Sequence, residues 1–303
     1  MAESNNIFQL LCRFQDELHN HDIDTTITDI LLRLENMPQV AKERNIYGNT
    51  PLHEACRSRA PMSVVTALLS AWPDAVQQKN TYFYTPLHTA CCERASVDAV
   101  TALLSAWPDA VKQKDFYGNT LLHTACFHTA SVEVVSALLN AWPNAAKERN
   151  NCGYTPLHAA CSRKASLDVV STLLSVWPDA VQKGAIRNNP LRCFRISFEV
   201  TILLVNAYLG DKENRCSSAS LLPLKEDVSS SQTKDHKMLF HCLYSLYNDK
   251  TDNPSLEEII QFFAQFKVWN GVAFVLEKDP ALAQTMNLDT NVMADFLFMA
   301  GRC

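Results

Sequence analysis

Glycine is scarce in this chain, with seven residues in 303. Nothing in it reads as a glycine-rich loop that could cradle a phosphate, and the run GDKENR from Gly210 is no exception. No nucleophile, base and acid stand in a catalytic arrangement, and no nucleotide fingerprint is present. The N-terminus, MAESNNIFQLLCRF, lacks the basic stretch, apolar core and small-residue cleavage site of a secretory signal. The apolar run around TILLVNAYL is far shorter than the roughly 20 residues of a membrane span. The 11 cysteines are odd in number and form no framework of a small secreted domain. They read as reduced thiols of an intracellular protein, expected in the cytoplasm rather than the nucleus. A dense basic stripe is also missing, which argues against nucleic acid. Residues 1–40 carry 2 basic and 7 acidic groups, residues 41–195 carry 16 and 11, and residues 196–303 carry 9 and 14. The mildly basic middle suits a partner with an acidic patch.

What is present is a globular composition, 47% hydrophobic and 19% charged, arranged as a repeat. TPLHEAC starts at Thr50, TPLHTAC at Thr85, TLLHTAC at Thr120 and TPLHAAC at Thr155, each step being 35 residues. LLSAWPDAV, from Leu68 and Leu103, returns as LLNAWPNAA from Leu138 and LLSVWPDAV from Leu173. Each unit predicts a helix, a turn, a second helix and a loop. Thr50, Thr85 and Thr155 are N-caps with proline at the first helical position, and Leu121 replaces that proline in the third unit. Second helices open at Ser96, Ser131 and Ser166, with an acid in the first turn, and Pro61 takes that place in the first unit. Val100, Leu103, Leu104 and Trp107 give one buried face, and Trp-Pro ends the helix.

TPLH, then VV and LL, then a turn segment with glycine before the next threonine, resembles the ankyrin repeat family. The matches are strongest at Thr50–His53, Thr85–His88 and Thr155–His158, with Gly48, Gly118 and Gly153 at the turn glycine. The resemblance implies an all-α solenoid of helix-turn-helix units with short β-hairpin turns. The sequence departs from the usual pattern in three ways. There is no glycine between the paired helices, Trp-Pro-Asp-Ala replaces a glycine-containing stretch, and Phe83 takes the turn-glycine position of the second unit. The expected organisation is a degenerate capping repeat at 1–40, four repeats over 41–185 and a degenerate repeat at 186–209. A polar linker at 210–236 and a helical region at 237–303 follow. In the first of these, Ile30, Leu34, Met37 and Pro38 keep register. In the degenerate repeat at 186–209, NPLRCF at 189–194 and TILLVNAY echo the two helices. In the last, Met238, Leu239, Cys242, Leu243 and Leu246 share one face, and Leu256, Ile259, Ile260, Phe263 and Phe266 another. VAFVLEKDPALAQ faintly echoes LLSAWPDAVQQ. The chain ends in FLFMAGRC, as an incomplete gene product would.

His53/Cys56, His88/Cys91, His123/Cys126 and His158/Cys161 repeat a His-x-x-Cys pair. Zinc needs four ligands about 2.0–2.3 Å from one ion, and helices stacked roughly 8–10 Å apart do not converge ligands so closely. The cysteines read as small buried hydrophobes, and no metal or cofactor is expected. By resemblance, the histidines tie helix to turn. Cys92 departs from the ladder, and a redox role is its alternative. Trp72, Trp107, Trp142 and Trp177 read as ladder packing, with a binding stripe as the alternative.

What varies between units lies just before each first helix: NIYGN, NTYFY, DFYGN and NNCGY. In the resembled family these turn tips and the exposed side of the first helix bind partners. Carried over by position, the binding candidates are Ile46, Tyr47, Asn49 and Arg57, then Thr81, Tyr82, Tyr84, Cys92 and Glu93. The third unit gives Phe116, Tyr117, Asn119, Phe127 and His128, and the fourth Asn151, Cys152, Tyr154, Ser162 and Arg163. Because Tyr47, Tyr82 and Tyr117 align, packing between hairpins is the other reading of those three. The expectation is a monomeric, non-catalytic scaffold that binds another protein, with neither nucleic acid nor membrane as partner. The competing reading is an enzyme or regulatory subunit whose activity resides in the C-terminal helices. A third is a structural repeat protein with no fixed ligand.

Overall fold

The structure is a computed structural model that describes residues 6–15, 23–181, 196–215, 233–248 and 254–282. The expected echo at 189–194 and the FLFMAGRC end lie outside the described residues. The chain divides into two compact parts, residues 1–176 and 177–303.

The first part is built of paired helices. α1 (Ile7–Cys12) and α2 (Ile23–Asn36) form the first pair. α3 (Pro51–Arg57) and α4 (Met62–Ala71) follow, then α5 (Pro86–Cys92) and α6 (Val97–Ala106). α7 (Leu121–Phe127) pairs with α8 (Val132–Ala141), and α9 (Pro156–Ser162) with α10 (Leu167–Val176). Each first helix of the four repeats opens on a reciprocal cap. Thr50 Oγ1 accepts from the His53 N–H, and His53 Nδ1 accepts from the Thr50 N–H at 3.2 Å. Thr85–His88 and Thr120–His123 repeat this arrangement, so Leu121 in place of proline leaves the cap intact.

Without a glycine between the helices, the chain still turns through the left-handed region. Arg59, Arg94, Thr129 and Lys164 have φ of 54°, 56°, 54° and 58°. The following alanine N–H closes each turn on a carbonyl five residues back, as Ala60 does on Ala55 at 2.9 Å. Ser96 then caps α6, and Pro61 stands at the cap of α4 without a side-chain bond.

Each second helix ends where expected. Trp72, Trp107 and Trp142 leave helical geometry at φ near −150°, and a 3₁₀ turn starts at the next proline. Met37-Pro38 ends α2 in the same way. The expected buried face needs one correction. Val100 and Leu103 are fully buried, whereas Leu104 and Trp107 are half-buried, as are Trp72 and Trp142. The tryptophan occupies the C-cap, where extended backbone carries the ring off the helical stripe. The central layer is instead made of Leu52, Ala55, Cys56, Val64, Val65 and Leu68 and their equivalents 35 residues on.

In the second part, a turn at Pro178–Val181 precedes α11 (Phe198–Gly210) and α12 (Lys212–Arg215). α13 (Lys234–Tyr247), α14 (Leu256–Gln265) and α15 (Trp269–Lys278) follow. α12 and the Thr233 cap of α13 fall within the span expected as a polar linker. That cap repeats the signature of the first part: Thr233 Oγ1 lies 2.8 Å from His236 Nδ1 and accepts from the His236 N–H. α14 turns into α15 through Lys267 at φ 57°, closed by a Val268 N–H bond to Phe263 O at 2.8 Å. α15 stops at Asp279, φ −138°, directly before Pro280. Leu239, Cys242, Leu243, Leu246, Ile259, Ile260 and Phe263 are buried, and Met238, Leu256 and Phe266 are half-buried. Among the described residues no helix is long and apolar enough to cross a membrane.

Candidate protein-binding surface

The four loops before α3, α5, α7 and α9 are built alike from one short polar residue each. Asn45 Oδ1 accepts from the N–H groups of Tyr47 (2.9 Å) and Asn49 (3.0 Å). Asn80 does so for Tyr82 and Tyr84, Asp115 for Tyr117 and Asn119, and Asn150 for Cys152 and Tyr154. This side-chain mimicry of a turn fixes the tip, and in the first three loops the tyrosine that carries the first of the two bonded N–H groups is displayed outward. Backbone bonds such as Asn45 N–H to Asn49 O close each loop. One isolated bridge, Lys114 to Thr120, is the sole β pairing among the described residues, so the β-hairpin turns are tight loops rather than strands.

Ile46 is 88% exposed, Phe116 68%, Tyr117 62%, Tyr82 59%, Phe83 53% and Tyr47 53%. The tyrosines at positions 47, 82 and 117 thus face solvent. Tyr154 is exposed, and Tyr84 is half-buried, stacked on the His88 imidazole at 5.7 Å. Thr81 and Asn151 are exposed yet engaged with the preceding tip, their N–H groups bonding Tyr47 O (3.2 Å) and Tyr117 O (3.0 Å). Asn49 is buried and accepts from Asn80 Nδ2 at 2.8 Å, and half-buried Asn119 does the same for Asn150. These two asparagines brace neighbouring hairpins instead of facing a partner.

At the ends of the first helices, the Arg163 guanidinium lies 3.7 Å from the centre of the Phe127 ring, whose edge meets His128 at 5.3 Å. Such a cation–aromatic pair holds both side chains in place at an exposed site. Arg57 is ion-paired with buried Glu54 and reaches Cys12 Sγ of α1, which ties it to the N-terminal pair. Glu93 and Cys92 are half-buried, while Ser162 and Cys152 are exposed.

Two of the histidines behind the tips, His53 and His123, are bound on both sides. His53 Nε2 donates to Tyr84 O and His123 Nε2 to Tyr154 O, both at 2.9 Å, while Nδ1 faces the capping threonine. Burial lowers the pKa to about 4 at His53 and His123, and to about 3 at His88. Cys56, Cys91, Cys126 and Cys161 are buried, and burial raises the thiol pKa of Cys56 and Cys126 to about 12. With both ring nitrogens engaged, His53 and His123 have no lone pair to offer a metal. Among the described residues no cluster of three His, Cys, Asp or Glu side chains could hold an ion.

Two features were not among the binding candidates read from the sequence, although Phe83 stood out there as the replacement of a turn glycine. Arg44, Lys79, Lys114 and Arg149 form an exposed basic ladder with the same 35-residue step, legible once the tips are aligned. Phe83 is the other. Its φ of 63° sits where Gly48, Gly118 and Gly153 have 71°, 74° and 78°. A Cβ at Gly48 would stand 3.2 Å from the Thr81 nitrogen, and one at Gly118 would stand 2.3 Å from Asn151 Oδ1. Phe83 carries that Cβ, and the Phe116 N–H to Tyr82 O bond equivalent to those above is not made. His88 Nε2 is left without a partner. The signal for Phe83 was its replacement of the one turn glycine that the other three repeats keep.

In the second part, α13 and α14 flank an open groove of about 470 Å³ lined by Lys234, Lys237, His241, Phe262 and Phe266. No serine, threonine or cysteine lines it.

Comparison with known protein families matches residues 47–79 to the ankyrin repeat and residues 87–184 to ankyrin repeats in three copies. Comparison with curated proteins finds no match.

Proposed function

As this chain is an ankyrin-repeat protein, we propose that it is a non-catalytic scaffold that binds another protein through the tips before α3, α5, α7 and α9 and the ends of α5, α7 and α9. The observation that carries this reading is the row of solvent-facing aromatics on tips fixed by asparagine or aspartate. Large apolar rings held outward at no benefit to the core are the residue types that dominate binding energy. The basic ladder supports a partner with an acidic face. The proposed setting is a monomer in the cytoplasm.

The test uses the full chain as bait in lysate of the native cell, with quantitative mass spectrometry. A Tyr82→Ser/Phe116→Ser double variant is expected to lose its partners. A Ser70→Arg/Ser105→Arg variant, altering exposed positions of α4 and α6, is expected to keep them. The same partners retained at equal yield by both variants would place recognition elsewhere.

A further inference from the structure

The junction between the second and third repeats differs from the junctions on either side, and the difference centres on one residue. At the first-to-second and third-to-fourth junctions, three hydrogen bonds recur. A tip N–H reaches the preceding tip's carbonyl, an asparagine amide reaches the preceding asparagine, and a histidine Nε2 reaches the following tip's last carbonyl. None of the three is made at the second-to-third junction. Phe83 supplies a side chain where close approach needs glycine, Tyr84 stands in place of the bracing asparagine, and His88 Nε2 is unpartnered. A bulky residue in the left-handed region is strained, and residues of that kind persist where something other than stability holds them.

The strained side chain is not consumed by packing. Phe83 is more than half exposed, its ring 6.2 Å from that of Phe116, which meets Tyr117 edge-on at 5.4 Å. The open junction leaves Tyr82 C=O and Phe116 N–H free to bond the main chain of an extended peptide. Charge fixes the sign of the ligand. Residues 44–49, 79–84, 114–119 and 149–154 hold four basic groups and one acid, Asp115, which is buried and turned to its own loop's N–H groups. Arg44 and Arg149 donate to turn carbonyls and Lys114 pairs with Glu148 at 2.8 Å, whereas Lys79, exposed on the loop that carries Phe83, makes no ion pair among the described residues.

We propose that Phe83, with Phe116 and Lys79, is the anchor of a docking site for an extended acidic segment of another protein that lays a large apolar side chain against the two rings. The proposal rests on the protein-binding reading and narrows it to one junction and one ligand chemistry.

The experiment pans random twelve-residue peptides displayed on phage against the full-length chain, and measures the enriched peptides by fluorescence anisotropy. The expected peptides are net acidic with at least one large apolar residue. Phe83→Gly is expected to weaken them about tenfold or more while unfolding no earlier than the unmodified protein. Lys79→Ala is expected to weaken them at low ionic strength and to lose that effect in high salt. Three results would each overturn the proposal: no enrichment, enrichment without acidic bias, or unchanged affinity in Phe83→Gly. Unchanged affinity in Phe83→Gly together with loss in Phe127→Ala would overturn this anchor alone and leave the broader protein-binding reading standing.

Discussion

His53 Nε2 lies 2.9 Å from the carbonyl oxygen of Tyr84, 31 residues ahead in the chain, and so the first repeat is stitched to the second by a neutral imidazole. That bond makes stability depend on acid. His53, His88 and His123 have folded pKa values lowered to about 4, 3 and 4 by burial, below the ordinary value of about 6.5. A lowered pKa means the unfolded chain takes up the proton first. The stabilisation is therefore complete above pH 6.5 and is lost as pH falls from 6.5 toward 4. At pH 5 each histidine should have lost on the order of 2 kcal/mol. Urea unfolding at pH 7.5 and pH 5 reads this, and equal midpoints would contradict it.

Replacing Phe83 by glycine removes left-handed strain of roughly 1–2 kcal/mol and adds chain entropy to the unfolded state worth about 0.5–1 kcal/mol. The net expectation is stability unchanged or raised by up to about 1.5 kcal/mol. Gly118→Ala is the mirror experiment, since its Cβ would meet Asn151. It should destabilise by about 1–3 kcal/mol. Thermal unfolding of the two variants in parallel is the check.

Framework and tip should separate. Leu87, fully buried, should cost about 2–5 kcal/mol when cut to alanine. Phe116→Ala, at an exposed tip, should stay within about 0.5 kcal/mol. A tip variant that unfolds as early as Leu87→Ala would mark the aromatics as packing residues.

The thiols should also sort by burial. Exposed Cys152 should react with a maleimide in the native protein within minutes. Cys56, Cys91, Cys126 and Cys161 should react only on unfolding, because burial keeps the thiolate form inaccessible. Mass spectrometry of peptides after timed labelling distinguishes the sites, and native-state labelling of Cys91 would refute the buried assignment.

Amide exchange should be fastest, among internal junctions, at the second-to-third. The N–H of Phe116 should exchange ahead of those of Thr81 and Asn151, which are bonded to the preceding tip. Equal protection at the three positions would show that the junction is as closed as its neighbours.

The helical skeleton was legible because capping threonines, stop prolines and apolar steps all recur with one period, so local and long-range signals agree. Trp107 was harder to place. Periodicity assigned it to the buried face, but the proline after it ends the helix and takes its ring out of that face. The inter-helix turns carried no glycine to announce a left-handed residue, yet Arg59 and Arg94 adopt one. Among the tip residues, alignment alone could not separate Tyr82, which faces solvent, from Asn49, which braces a neighbour. That depends on whether the neighbouring hairpin offers a partner, and Asn80 does. The repeat character of Thr233–His236 escaped notice because one capping pair without the surrounding motif is a weak signal in sequence. Only the backbone turn at Lys267 and the stop at Asp279-Pro280 give it company.

The bonds from His53 to Tyr84 O, from Arg59 Nε to Glu93 O at 2.6 Å and from Arg94 Nε to His128 O at 2.8 Å all run from an earlier repeat to a later one. The tip bonds run the other way, from Thr81 N–H to Tyr47 O and from Asn80 Nδ2 to Asn49 Oδ1, so only the forward set waits on the growth of the chain. As the chain leaves the ribosome, each newly emerged repeat holds donors whose acceptors have not yet been synthesised, and buried donors without acceptors are costly. Each repeat therefore completes itself only when the next has followed. At the second repeat only Arg94 waits in this way, because His88 Nε2 takes no carbonyl from the third.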